Sequence, residues 1–158
     1  MIQRIQSLYI LLASCLIGLA AILPLFSFQL DGSSETVSAS LSAFSWKGLD
    51  AEGVWRNLES LYALGIAFCL TALFTFTIIF FYKNRKKQIS MVRYSFILTV
   101  ALLATVGYYV YLVQAPDVVA TKPQIGTLLV AISLVFDWLA IKAIRKDEEL
   151  VRSIDRIR

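Results

Sequence analysis

The chain has 158 residues, of which 58% are apolar and only 16% charged, and 15 lysines and arginines against 11 acids leave it at +4. So much apolar surface exceeds what a soluble core of this size can hide, and it equally excludes an intrinsically disordered chain. With 2 cysteines and 7 glycines a disulfide-stapled or collagen-like fold is excluded too, and an integral membrane protein in a lipid bilayer is what remains.

A helix crossing a hydrocarbon core about 30 Å thick needs about 20 residues, because all of its backbone amides must be bonded within the segment. Four stretches reach that length, at residues 8–28, 58–82, 94–113 and 125–144. The expected fold is therefore an all-α membrane protein, a four-transmembrane-helix bundle forming a single domain over residues 1–158. No stretch sustains the alternation of a membrane β-strand, which excludes a barrel.

In the first span, Leu12-Ala13-Ser14-Cys15 resembles the box before a lipid-modified cysteine, but residues 16–23 stay apolar where a lipoprotein would turn polar, so no cleavage is expected. Cys15 and Cys69 lie in apolar helix without a Cys-x-x-Cys spacing and read as small packing residues. Pro24 is expected to end the first helix.

The following loop, residues 29–57, changes period. Phe26, Phe28 and Leu30 alternate with Ser27 and Gln29, Asp31-Gly32 is a turn dipeptide, and Val37, Ala39, Leu41 and Ala43 alternate with Ser38, Ser40 and Ser42. This predicts a small extracytoplasmic β-hairpin, the other reading being a disordered Ser-rich linker. Trp46 and Trp55 are expected to lie as lids against the membrane surface. Between the spans, Ser14 with Gly18, Ala63 with Ala67, Ala101 with Thr105 and Thr127 with Ala131 offer close helix approach. Thr71 and Thr75 can bond back to their own helix carbonyls.

Orientation follows from Lys and Arg, which are costly to translocate. Twelve of them fall at the N-terminus (Arg4), in the second connection (Lys83, Arg85, Lys86, Lys87, Arg93) and in the tail, and three (Lys47, Arg56, Lys122) fall in the other connections. Both termini are therefore expected in the cytoplasm. The run Lys83-Asn84-Arg85-Lys86-Lys87 is either this inside-positive signal alone or also a contact for anionic lipid.

The chain has no histidine, which removes bis-histidine haem ligation, the usual zinc sites and the commonest general base. There is no glycine-rich phosphate loop, nucleophile elbow or EF-hand spacing. No catalytic residue set, cofactor or metal site is expected, nor is nucleic-acid binding, which would need a larger basic surface with stacking aromatics.

Asp137 is the one acid well inside a span, and a carboxylate in hydrocarbon is costly enough to suggest function. One reading is a proton or cation site. The other is an ion pair joining helix ends, with Arg4, Lys83 or Arg93 as partner; Lys142, five residues on, places Asp137 near the headgroups. The tail at 145–158 reads as a cytoplasmic helix whose Leu150, Val151, Ile154 and Ile157 form an apolar stripe, suited to docking a partner or lying on lipid.

In outline the pattern resembles claudin-like tetraspan proteins, although the first loop lacks their disulfide. More specifically, residues 1–9 (Met-Ile-Gln-Arg-Ile-Gln-Ser-Leu-Tyr), the proline-ended first span, and the closing residues 143–151 and 155–158 resemble the bacterial membrane family labelled domain of unknown function 4293. The resemblance implies a small polytopic protein of the bacterial inner membrane and supplies no activity or site. The function expected from the sequence is that of a non-enzymatic accessory or scaffold subunit bound to a membrane-protein partner. The alternative is a small ion, proton or lipid-like transporter using Asp137.

Overall fold

The computed structural model describes residues 2–30, 36–50, 55–82, 84–113 and 118–155. Local sequence explains where its helices start and stop. Helix α1 (Ile2–Ile22) ends two residues before Pro24, and strand β1 (Pro24–Leu30) follows. The first helix thus falls short of the expected residue 28. Phe26 and Phe28 are apolar enough for a span, but their alternation with Ser27 places them in a strand.

Helix α2 (Tyr62–Thr77) gives way to a 3-10 turn at Ile78–Phe81. In its second half Thr71, Thr75 and Thr77 donate their hydroxyls to the carbonyls of Ala67, Thr71 and Phe74 at 2.8, 2.8 and 2.7 Å, a competition that loosens helical geometry. Helix α3 (Arg85–Val113) starts after Asn84, whose Oδ1 accepts the Lys87 N–H at 3.4 Å. Helix α4 (Ile125–Asp155) runs for 31 residues, so the helical tail expected from residue 145 continues the last span without a break as far as Asp155.

Four helical segments are long and apolar enough to cross a membrane, Ile5–Ile22, Tyr62–Phe81, Lys87–Leu112 and Ile125–Glu149. They pack in the cyclic order α1, α2, α3, α4, with α1 lying most extensively on α4. The expected small-residue contacts are corrected: Ala101 and Thr105 both face outward, Ala63 and Ala131 do so in two of the other pairs, and a Cβ on Gly18 would meet nothing within 4 Å. Ser14 does serve, its hydroxyl donating to the Ala72 carbonyl of α2 at 3.1 Å. Cys15 and Cys69 are both exposed on the outer helix faces, not packed within the bundle.

The expected hairpin is part of a larger element. Strands β1, β2 (Thr36–Ser42), β3 (Ser45–Asp50), β4 (Trp55–Ser60) and β5 (Val118–Pro123) form one antiparallel sheet in the order β4-β3-β2-β1-β5. The Asp31-Gly32 turn lies outside the described residues. β3 and β4 lack the clean alternation of β1 and β2, and β5 is a six-residue piece of the connection between α3 and α4. Their strand character comes from pairing with neighbours that the sequence places far away. Pro123 stands where a proline is tolerated, at the end of an edge strand opposite Phe26.

Phe28 pairs with Ala39, and Ala39 with Gly48, on the face turned toward the helices, where Phe28, Ala39 and Leu41 are buried. The row Lys122, Ser27, Ser40, Lys47 lies on the opposite, wetter face. Trp46 packs its ring 6.4 Å from that of Phe28, so it helps fill the sheet's buried face, while the Trp55 side chain lies outside the described residues. The sheet is fastened to the helix ends at several points. Gln124 donates its N–H to the Leu25 carbonyl at 2.9 Å and its Nε2 to Ser27 Oγ at 2.7 Å, and Thr127 Oγ1 also donates to Leu25. Leu61 donates its N–H to the Phe44 carbonyl at 2.8 Å. At Gly65 a Cβ would fall inside the Phe44 ring, and at Gly126 it would lie 2.7 Å from the Pro24 carbonyl oxygen, so both positions need the bare backbone.

Candidate functional site

The buried residues sort into layers along the helices. Next to the sheet lies an apolar cluster that includes Phe28, Leu41, Ile17, Phe68, Leu102 and Val130. At the far end lies a second, with Ile10, Ile78, Ile89, Val92, Ala140 and Ile144. Between them, on all four helices, the chain places buried polar side chains: Ser14 on α1, Thr71 and Thr75 on α2, Ser95 and Thr99 on α3, and Ser133 and Asp137 on α4. Beyond the second cluster come Gln6, Gln88 and Asp147, also buried, with Gln6 Nε2 donating to the Ala143 carbonyl of α4 at 3.2 Å.

Asp137 is the centre of the polar layer. It has 0% exposure and lies 12 residues into α4, about 18 Å from that helix's sheet end at 1.5 Å per residue. Its Oδ2 lies 3.3 Å from Ser95 Oγ, and Ser95 Oγ lies 2.6 Å from Thr75 Oγ1. Among the described residues its Oδ1 has no hydrogen-bond partner. The hydroxyls of Thr99 and Ser133 are bonded within their own helices, to the carbonyls of Ser95 at 3.0 Å and Val130 at 2.7 Å. Three helices therefore meet through one line of side chains, Thr75 to Ser95 to Asp137, and the only ionisable member is the acid.

The expected ion pair is corrected where the residues are described. Arg93 is exposed, lining a shallow cleft with Ile89, Ser90 and Glu148, and Asp137 points to Ser95 instead. The Arg4 side chain and all of Lys83 lie outside the described residues. Lys142 turns outward, its Nζ 3.5 Å from the centroid of the Trp138 ring. Asp137 itself is enclosed by the bundle. Of the basic run, Lys87 is exposed, and the side chains of Arg85 and Lys86 lie outside the described residues. Leu150, Val151 and Ile154 fall in the last turns of α4 with side chains outside the description, as is the whole of Ile157.

Sequence reasoning missed the hydroxyls that surround Asp137. Each of Thr71 and Thr75 was explicable alone by bonding back to its helix, and that bond is present. The signal lay in the recurrence: Thr71/Thr75, Ser95/Thr99 and Ser133/Asp137 are i,i+4 pairs, and such pairs share one helix face. Three spans with the same spacing turn three polar faces inward.

Fold and site together define a helical protein with four helices long and apolar enough to cross a membrane, covered at one end by a small antiparallel sheet and holding the enclosed carboxyl of Asp137. The chain belongs to the family described as Domain of unknown function (DUF4293), whose model matches residues 2–157. No curated protein matches the chain.

Proposed function

We propose that the protein is a multi-pass protein of a bacterial inner membrane that binds and moves a proton or monovalent cation at Asp137. The outward faces of its helices support insertion: Leu70, Phe80, Ile97 and Leu128 are all at least 57% exposed, and apolar side chains in that number belong in lipid. The distribution of Lys and Arg supports cytoplasmic termini, which puts the sheet on the opposite side. One observation carries the activity: an acid with no exposed surface lies among hydroxyls from two other helices, between apolar layers. Such a group is costly to retain without a role, and one carboxylate is balanced by one positive charge.

The test is flux in vesicles containing the purified full chain. A proton or sodium gradient is expected to dissipate faster than in empty vesicles, and Asp137→Asn is expected to remove that increment. Equal flux through wild type and Asp137→Asn would refute the reading.

A second reading, an accessory subunit of a larger membrane complex, is favoured by the length of α4. The helix runs to Asp155, 11 residues past the expected end of the span at residue 144, or about 16 Å. A helix extending so far offers a lever for a cytoplasmic partner. Purification in mild detergents followed by mass spectrometry, with and without residues 145–158, tests it. A partner lost on truncation supports it, and a clean monomer in every detergent counts against it.

A further inference from the structure

The oxygens of the central layer can be matched against the hydrogens available to them. A serine or threonine hydroxyl has one hydrogen to donate and lone pairs to accept. Thr75 Oγ1 lies 2.8 Å from the Thr71 carbonyl oxygen, which can only accept, so the Thr75 hydrogen is used there. Thr75 Oγ1 also lies 2.6 Å from Ser95 Oγ, a contact in which either hydroxyl could donate, and the 3.3 Å from Ser95 Oγ to Asp137 Oδ2, longer than the about 2.5–2.7 Å of a hydroxyl bonded to a carboxylate, favours Ser95 donating to Thr75. In that arrangement Ser95 has no hydrogen left for Asp137 Oδ2 at 3.3 Å, and among the described residues Oδ1 has no partner. With the hydrogens so arranged, an ionised Asp137 would be fully enclosed, facing a lone pair and receiving no hydrogen bond from the described residues, an arrangement that proteins avoid. A hydrogen on Oδ2 completes the line: Asp137 donates to Ser95, Ser95 to Thr75, and Thr75 to the Thr71 carbonyl.

We propose that the ion held at this site is a single proton, carried by Asp137 as a neutral carboxylic acid, and that Thr75 is a positioning residue that engages the Ser95 hydroxyl and so withholds it from the carboxylate. The inference rests on the ion-handling reading above and narrows its ion to a proton. When the proton leaves, the O–H bond of Asp137 breaks and its electron pair stays on the carboxylate. Ser95 then turns its hydroxyl to Asp137 and gives up its bond to Thr75, so a change on α4 is felt on α2 just before the helix tightens into its 3-10 turn.

The other ionisable groups on the packed helices leave this scheme intact. On α1 the Tyr9 ring is half-buried against Phe136, 6.2 Å between centroids, and Cys15 is exposed; the Arg4 side chain lies outside the described residues. On α2 Cys69, Tyr62 and Tyr82 are exposed, and on α3 Arg93 and Tyr94 are exposed. On α4 Lys142 is held over the Trp138 ring.

The experiment uses the full chain in detergent and in vesicles at neutral pH. Infrared spectroscopy is expected to show the C=O stretch of a protonated carboxyl in wild type that is missing in Asp137→Asn. A hydrophobic carbodiimide, which reacts with protonated carboxyls in apolar surroundings, is expected to label residue 137. In Thr75→Val the freed Ser95 hydroxyl stabilises the carboxylate, and labelling is expected to fall about tenfold, the effect of one hydrogen bond to a charged group. Thr75→Ser restores the hydroxyl and with it wild-type labelling. Circular dichroism and elution volume establish that each variant is folded; should Thr75→Val not fold, Ser95→Ala takes its place and is expected to keep the wild-type band. A wild type without the band, a folded Thr75→Val labelled like wild type, loss of the band in Ser95→Ala, or loss of labelling when sodium or potassium replaces choline would overturn the proposal, the last in favour of an alkali cation. A band present in wild type and absent in Asp137→Asn, together with equal flux through both, would leave the proton site standing and remove transport.

Discussion

The core beneath the sheet and the central layer are both buried, yet they are held in opposite ways. On the sheet side, large side chains fill space against bare backbone: Phe28 and Leu41 under the strands, the Phe44 ring on Gly65, and the Pro24 carbonyl on Gly126. In the central layer small hydroxylated residues share the space with an acid, one oxygen of which has no partner among the described residues. The first arrangement gains stability from shape, whereas the second gives some of it up to keep a polar group in place. Burial alone therefore says nothing about which half is functional; what distinguishes them is the response to substitution.

The largest expected effect is in the sheet-side half. Phe28→Ala removes a ring with 0% exposure that touches both the helices and Trp46, and should cost about 3–5 kcal/mol, measured by unfolding in a denaturing detergent. Gly126→Ala comes next. Its Cβ would stand 2.7 Å from a backbone oxygen, not from a side chain that can turn away, so a loss of about 1–3 kcal/mol is expected. If either substitution were silent, the sheet would not be locked to the helix ends in the way described.

The central layer should respond with the other sign. Asp137→Leu removes the buried oxygen that lacks a partner and leaves the Ser95, Thr75 and Thr71 bonds complete, so stability is expected to stay level or rise by about 1 kcal/mol while proton flux is lost. A large loss of stability would mean that Asp137 holds the helices together, as an ion pair would. That result would place both halves of the molecule in the same structural class.

The sequence made one of these halves easier to read than the other. Four apolar runs announce four helices because their length is set by the thickness of a bilayer, and the alternation in β1 and β2 announces a strand pair because side chains on a strand point to opposite faces. Asp137 stood out because an acid among apolar residues is rare. β3, β4 and β5 stayed hidden, since Ser45–Asp50 and Val118–Pro123 have no periodicity of their own and become strands only through partners from distant segments. Enclosure was hidden too. Nothing in the run around Lys142 tells that Lys142 turns outward over Trp138 while Asp137 meets the Ser95 hydroxyl of α3, itself in contact with Thr75 of α2.

Gly18 supplies the smallest effect and the control for both halves. It lies one turn before the end of α1, four residues from Ser14, and the sequence pairs the two as a close-packing motif. A Cβ there would meet nothing within 4 Å, in contrast to Gly65 and Gly126. The only terms left for Gly18→Ala are the backbone entropy of glycine and the helix preference of alanine, which favour the variant by about 0.5–1 kcal/mol. A gain of that size in the same detergent assay means that the cost at Gly126 comes from the crowded Pro24 carbonyl and not from a general intolerance of added methyl groups. A loss instead would mean that Gly18 meets a surface supplied by another molecule, which would turn attention to the accessory-subunit reading.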